Sequence, residues 1–600
     1  MCGIVGILGG HQVAPIMVEA LRRLEYRGYD SAGIATVDGG RLDRRRAVGK
    51  LVNLSDLLVT EPLAGFAGIG HTRWATHGAP SVRNAHPQRA GRVAVVHNGI
   101  IENFRELREE LGGAWESETD TETVARLCER HLAEGLSPQE AAFATVDRLH
   151  GAYALLFLFE GEQDLLVAAR AGSPLAIGHG AGEMYVGSDA IALGPLTDRL
   201  TYLEEGDRAV VTRAGARIYD REGRQTHREE RRIAVDASRV EKAGHRHFMA
   251  KEIHEQPRVL ARVLDAYLDG EAVRDVGFDF RSVARMQMVA CGTGYIACTV
   301  AKYWFEAIAR MPVEVDVASE YRYREGPLSG DTASLFLSQS GETADTLAAL
   351  RYAKGKAAAI LSMVNVDLST IAREGDVVLP IHAGVEVSVA ATKSFTSQLA
   401  ILLMLALRAG RQRGAIDAAR EREVVARLRL LPGLVSQALA TEARCADLAG
   451  WLAEATDVLF LGRGPMFPLA HEGALKLKEI SYIHAEAYAS GELKHGPIAL
   501  VDKSLPVVVL APTDALFDKT VSNMQEVMAR EGQVLLVTDA AGAARASEGV
   551  REVLVMPDVD PLLAPILYAV PAQLLAYHTA VHKGTDVDQP RNLAKSVTVE

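Results

Sequence analysis

Cysteine is scarce in this chain. Its 600 residues include five: Cys2, Cys128, Cys291, Cys298 and Cys445. Only Cys291 and Cys298 lie near each other in sequence. No CxxC pair or zinc-ligand spacing occurs, which excludes a disulfide scaffold and leaves no metal to expect. No organic cofactor is suggested either. Excess positive charge is also missing. Lysine and arginine total 65 against 77 aspartates and glutamates, a formal net charge of −12, so general binding to nucleic acid or to an anionic membrane is not expected. Neither argument touches a small anionic substrate, whose binding depends on the local field. Long apolar runs are lacking as well. The most apolar tract, Pro561 to Tyr577, is interrupted by Pro565, Pro571 and Gln573; it reads as buried helix rather than a membrane span. No basic segment followed by an apolar stretch opens the sequence. With reduced thiols, this leads to the expectation of a cytoplasmic protein.

What is present begins with size. A length of 600 residues, 48% hydrophobic and 24% charged, suits an ordinary globular protein of about three or four domains. Position 2 carries the most chemical content. Removal of the initiator Met would leave Cys2 with a thiol and a free α-amine on one carbon. Such an amine has a pKa of about 7.7–8.0, so it can take the proton of its own thiol and act as base to its own nucleophile. Alone, a cysteine so near an end reads as an accident of a frayed terminus.

Residues 2 to about 240 alternate short apolar runs with Gly-rich turns, as in Ile4–Leu8, Ala67–Ile69, Val93–Val96, Tyr153–Phe159 and Leu165–Ala169, which predicts strands. Ile16, Ala20, Leu21 and Leu24 share one helical face, and Val124, Leu127 and Cys128 share another. An α+β domain follows. Between Arg213 and His247 the chain becomes charged around Arg228-Glu229-Glu230-Arg231-Arg232, and a domain boundary is expected there. The remainder contains a diluted repeat. Met286–Gly294 reads as a strand feeding a Gly-containing turn and a helix. Val458–Gly464 repeats that arrangement about 170 residues later. Two related α/β domains with parallel sheets are predicted. The expected layout is 2–240, a connection at 241–280, domains at 281–430 and 450–590, and a tail at 591–600.

Four segments accompany Cys2 in the first domain: Tyr26–Gly33, His71–Gly78, His97–Asn103 and Ser117–Glu122. Read singly, Asn98-Gly99 suits a hairpin turn, Asp120 a helix N-terminus, and Arg73 any surface ion pair. Taken together, the segments resemble the class II glutamine amidotransferases, which are N-terminal-nucleophile hydrolases. The resemblance implies Cys2 as nucleophile, the Asn98 amide and the Gly99 N–H as oxyanion donors, and Arg73 and Asp120 as partners of glutamine's α-carboxylate and α-ammonium. It also implies His77 in the glutamine site and Trp74 as a gate for ammonia.

In the second half, Ser334–Leu337 reads as a strand, followed by Ser338-Gln339-Ser340-Gly341-Glu342-Thr343 and a helix starting near Ala344. Hydroxyls gathered at a helix N-terminus suit a phosphate; an unusually polar cap is the alternative. Glu472, Lys476 and Glu479 fall on one helix face, for which a solvated pair worth about 0.3–0.5 kcal/mol is the ordinary account. Lys595 alone reads as a surface lysine. The stretches 472–480, 491–497 and 589–600, with the 338–343 loop, resemble sugar-isomerase domains of phosphosugar-binding proteins. That resemblance implies Thr293, Ser338, Gln339, Ser340, Thr343, Val389, Glu472 and Ala594 as sugar-phosphate contacts. It implies His495 for ring opening, Glu479 for proton transfer between C1 and C2, Lys476 as its helper, and Lys595 as a Schiff-base former. Gly294 and Ala391 depart from the family pattern, which more often shows serine at both. The two resemblances run from Cys2 to Glu600. They imply an amidotransferase with glutamine and fructose 6-phosphate as substrates, making an aminosugar phosphate at the head of the hexosamine route, and a homodimer, the family's usual state. A phosphoribosylamine-forming amidotransferase lacks support, because no acidic run precedes a Gly/Thr phosphate loop. A non-enzymatic phosphosugar sensor is disfavoured by the joint presence of Cys2, Glu479, His495 and Lys595.

Overall fold

The computed structural model describes residues 2–232 and 241–598. The chain divides into two compact units, Met1–Val240 with Ala594–Glu600, and Glu241–Leu593.

The first unit is built on two antiparallel sheets, of eight and seven strands among the described residues. Strand Gly3–Leu8 pairs with Met184–Gly187 on one side and Ala67–Arg73 on the other, so Cys2 stands at the mouth of a central strand. Its side chains alternate between two cores, as the two-residue period requires. Ile4 and Leu8 join Ile69, Val96 and Leu156 between the sheets. Val5 and Ile7 join Met17 and Leu21 of helix Val13–Arg22 on the outer face. The far face of the second sheet is covered by helix Asp120–Ala133, whose Val124, Leu127 and Cys128 pack on Val93, Val95 and Phe157. The layers are helix, sheet, sheet, helix. Both faces of each sheet are covered, which explains why the strands read as continuous apolar runs although they are antiparallel.

The second unit contains two five-stranded parallel sheets. In one, Arg285–Ala290 lies between Val313–Val317 and Thr332–Ser338, followed by Ala359–Val364 and Val377–Pro380. In the other, Asp457–Gly462 lies between His484–Ala489 and Pro506–Leu510, followed by Gln533–Asp539 and Glu552–Met556. Both have the order second-first-third-fourth-fifth, so the diluted repeat is a repeat of topology. One core joins the two sheets through Met288, Phe395, Leu403, Phe460, Leu477 and Tyr568. The apolar tract at 561–577 lies mostly in the buried helix Ala564–Lys583. No helix among the described residues is long and apolar enough to cross a membrane.

Two expectations about connections are corrected. The charged 228–232 run still belongs to the first unit's sheet: Glu230–Arg232 is an edge strand paired with Arg199–Tyr202. Arg228 there holds the buried Asp207 with two hydrogen bonds of 2.8 and 2.9 Å. Charge on an edge strand is a normal guard against unwanted pairing, and it disguised the strand. Residues 241–280 are not a mere connection. They contain the 20-residue helix Phe248–Tyr267, with Met249, Ile253, Val259, Leu260 and Val263 buried. The Asp588 carboxylate accepts from the Phe248 and Met249 amides at 2.9 and 3.0 Å, satisfying two orphan donors at that helix start. Pro257 and the flanking charges obscured its periodicity.

Candidate active sites

The first site forms where strand Gly3–Leu8 begins. Ile4 N donates to Ser188 Oγ at 3.0 Å, anchoring the strand behind Cys2. The Cys2 sulfur accepts from Trp74 N at 3.3 Å, and its thiol donates to Trp74 O at 3.5 Å. Burial pushes the thiol pKa up, opposed by the N-terminal charge, the Trp74 amide and Arg73. Asn98 and Gly99 lie inside strand Val93–Ile101, not in a hairpin turn. Asn98 Nδ2 donates to Cys2 O at 3.0 Å, which holds the amide against the nucleophile's residue. Gly99 has φ +131°, and a Cβ there would stand 1.9 Å from Ala152 O; only glycine is accommodated.

Arg73 ends strand Ala67–Arg73 and is 3% exposed. One guanidinium nitrogen donates to the carbonyls of His77 and Gly78. The other, Nη1, is buried with no hydrogen-bond partner and lies 4.0 Å from Asp30. A buried N–H with no hydrogen-bond acceptor can take a carboxylate oxygen in a charge-assisted bond. His77 packs edge-on against Phe104. Asp120 opens helix Asp120–Ala133 and is 3% exposed; its Oδ2 accepts from Ile101 N at 2.9 Å. The helix-terminus reading of Asp120 is therefore right as far as it goes, and its carboxylate also ties the helix to the Asn98–Gly99 strand. Sequence reasoning gave Asp30 no role. It accepts from Ala75 N and from Ser31 Oγ, holding the 73–78 segment in place.

The second site lies between the two sheets of the second unit. Glu472, Lys476 and Glu479 sit on helix Met466–Ser481, where a solvated pair was the ordinary expectation. Instead, the side chains of Lys476 and Glu472 are each 1% exposed. The Lys476 ammonium bonds Glu479 Oε2 and stands 3.6 Å from Glu472 Oε1. Burial, and next the Glu479 charge against the pull of Lys476, raise the Glu472 carboxyl to about 7. Both neighbouring carboxylates push Lys476 up against the penalty of burial. Glu472 also accepts from Thr293 Oγ1 at 3.2 Å, so a residue from the first sheet's opening helix meets the second sheet's charged helix. A third carboxylate, Glu386, acts on Lys476 while capping Thr392 N and Ser394 N. No motif in the sequence pointed to it.

The loop 338–343 is built on hydroxyls. Ser338 Oγ and Thr343 Oγ1 are 2.9 Å apart, and Ser338 Oγ accepts from Gly341 N at 3.0 Å. Gly341 has φ +66°, and a Cβ would strike Ser369 Oγ at 1.9 Å. Gln339 O accepts from Asn365 N at 3.1 Å, while Ser340 Oγ accepts from Glu342 N at 3.2 Å. Val389 N donates to Asp588 O at 3.3 Å, so that amide already has a partner. His495 ends the short helix Ser490–His495 and is exposed; it is not gathered into the charged cluster. Ala594 and Lys595 belong to the first unit.

Comparison with known proteins agrees with both halves. A family model described as a glutamine amidotransferase domain matches residues 71–195. One described as an SIS domain matches residues 279–408 and 451–583. The glutamine–fructose-6-phosphate aminotransferase (isomerizing) of Brucella suis biovar 1 is 58% identical over 607 residues, covering 100% of both chains. That of Bradyrhizobium diazoefficiens is 59% identical over 608 residues, again covering both completely. The chain belongs to the glutamine–fructose-6-phosphate aminotransferase (isomerizing) family. Among solved structures, the C-terminal domain of the Francisella tularensis glucosamine-fructose-6-phosphate aminotransferase matches with 42% identity and a TM-score of 0.57. It covers 58% of this chain and 100% of its own.

The glycine at 294, where the resemblance leads one to expect serine, has a local explanation. Gly294 is buried, and a Cβ there would come within 2.7 Å of Leu337 Cδ2. A side chain at 294 would require Leu337 to turn away, so a serine hydroxyl has no ready place. Nothing in the structure explains the alanine at 391.

Proposed function

We propose that this chain converts glutamine and fructose 6-phosphate to glutamate and glucosamine 6-phosphate. The observation that carries the reading is that one chain holds both a Cys2–Asn98 centre and a Glu472–Lys476–Glu479 centre around a buried ammonium. With Met1 removed, the Cys2 amine takes the thiol proton and the sulfur attacks the glutamine side-chain carbonyl carbon. The oxyanion is held by Asn98 Nδ2 and Gly99 N–H; one such donor is worth about 3–4 kcal/mol. The proton passes to the leaving nitrogen, ammonia departs, and water cleaves the thioester to give glutamate. The unpartnered Arg73 Nη1 supports a role in binding the α-carboxylate, and Asp120 takes the α-ammonium. His77 lines the glutamine site, and Trp74, whose backbone brackets the sulfur, controls ammonia passage.

On the sugar side, Thr293, Ser338, Gln339, Ser340, Thr343, Val389, Glu472 and Ala594 hold the phosphosugar. His495 opens the ring as an acid–base group, and Lys595 forms a Schiff base at C2 that ammonia displaces. Glu479 then removes a proton from C1 and returns one to C2, with Lys476 stabilising the charge that develops between them. The fit of Glu479 beside the Lys476 ammonium supports that division. We assign 2–240 to the glutaminase domain, 281–430 and 450–590 to the sugar-isomerase domains, and 591–600 to an active-site tail. The working form is a cytoplasmic homodimer, for which sedimentation should give about twice the 64.6 kDa chain mass.

The test pairs intact mass with product analysis. Purified protein lacking Met1 should yield equimolar glutamate and aminosugar phosphate from the two substrates. Aminosugar formation from glutamine by protein that keeps Met1 would overturn the Cys2 mechanism.

A further inference from the structure

His71 lies in the middle of strand Ala67–Arg73 and is fully buried. Its ring points between the two sheets of the first unit. Nε2 is 3.0 Å from His97 O and 3.2 Å from Asn98 Oδ1. Both partners are oxygen acceptors with no proton to give, so Nε2 carries the proton and the tautomer is determined. Nδ1 is buried with no hydrogen-bond partner, as suits its bare lone pair, and the ring lies against His86 at a centroid separation of 4.4 Å. Burial drives the His71 pKa down to about 3, so the ring is neutral at every working pH and is a fixed donor rather than a titrating base.

The consequence falls on Asn98. A carboxamide can be turned by half a rotation with little change in shape, exchanging donor and acceptor. Here both ends are specified. Nδ2 donates to Cys2 O at 3.0 Å and Oδ1 accepts from His71 Nε2. A turned amide would set Nδ2 against the His71 N–H and Oδ1 against the Cys2 carbonyl, two repulsive contacts. We infer that His71 is a positioning residue for glutamine hydrolysis, its Nε2–H locking the Asn98 carboxamide with the nitrogen toward Cys2. The inference rests on the proposed oxyanion role of Asn98. His71 touches neither glutamine nor the sulfur in this account; it acts through Asn98.

The experiment is a double-mutant cycle on glutaminase activity in the full-length chain. Asn98→Ala should lower kcat by about 10²-fold or more, the usual effect of losing an oxyanion donor. His71→Asn removes the donor at the Nε2 position and should lower kcat by about 10-fold, with KM for glutamine within threefold, because donors misplaced by less than an ångström still matter. His71→Gln carries an amide nitrogen where Nε2 stood and should recover most of the loss. In the Asn98→Ala background, His71→Asn should cost nothing further, since there is no amide left to orient. A merely structural histidine would give additive losses in the cycle and no rescue by glutamine; either result overturns the inference. If Asn98→Ala keeps wild-type kcat, the oxyanion reading itself falls and this inference with it. If Asn98→Ala is impaired while His71→Asn is not, only the inference about His71 falls. Iodoacetamide labelling of Cys2 in each variant checks that the site is folded; His71→Gln, the most conservative change, decides the case if His71→Asn is not.

Discussion

The two parallel sheets of the second unit share one strand order and differ in chemistry. After its third strand, the first sheet turns through Ser338–Thr343, where hydroxyls and amides converge. At the same point the second sheet turns through Thr513 and Asp514. There Thr513 N and Oγ1 both donate to Asp539, at 2.7 and 2.6 Å. A loop already tied to a carboxylate, with a second carboxylate beside it, repels phosphate. The helix after the first strand shows the opposite bias. The first sheet offers Thr293 and no charge before Lys302 in the last turn, while the second offers Glu472, Lys476 and Glu479. The two sheets are thus equivalent scaffolds with different side chains, and on the proposed reading one holds the phosphate while the other carries the proton. The Thr293–Glu472 hydrogen bond is where the two meet.

The sharpest break of that division is at Glu479. Glu479→Gln should lower aminosugar formation by about 10³-fold and leave fructose 6-phosphate binding within threefold by titration calorimetry; weakened binding with normal turnover would put the carboxylate in the wrong half of the scheme. Next comes Lys476→Met, which strands the buried Glu472 carboxyl without its cation. Breaking a buried pair this way costs about 3–5 kcal/mol, so the denaturant midpoint should drop along with activity; a midpoint equal to wild type would mean the cluster is hydrated in solution. Smaller still is Ser338→Ala, expected to raise KM for fructose 6-phosphate about tenfold through loss of a polar contact to a charged group. Its counterpart Thr513→Val should leave KM unchanged, and equal effects at both loops would erase the contrast.

A separate effect is one of pH. The Glu472 carboxyl rises from 4.5 to about 7 on folding. An acid whose folded pKa is raised binds more protons in the native state, so stability falls as pH climbs from about 4.5 to about 7 and is level above. Lys476 stays charged across that window because its own pKa is raised. Glu472→Gln should therefore flatten the decline of thermal midpoint between pH 5 and 7; an unchanged slope would assign the titration elsewhere.

The division between halves was only partly legible beforehand. The repeat, the strand feeding the 338–343 loop and the common face of Glu472, Lys476 and Glu479 follow from periodicity. The burial of that face does not, because an i, i+4 pair of opposite charges looks the same on a solvated helix. Glu386 was invisible for a related reason: its charge acts on Lys476 from a segment ninety positions earlier, and no local pattern marks it. His495 shows the converse. Its motif is plain in the sequence, yet the fold leaves the ring exposed at the end of a short helix.

By itself the sequence determined the α+β character of the first unit and the two parallel sheets of the second, since these depend on apolar period and turn chemistry, both of them local. It also misread residues 241–280 and the 228–232 run, where charge and proline masked a buried helix and an edge strand. Only the tertiary structure decided which charges lose water, which tautomer His71 adopts and which way Asn98 faces. Those outcomes depend on groups brought together from distant strands, and a proton or a dipole takes its state from the partners around it rather than from its neighbours in the chain.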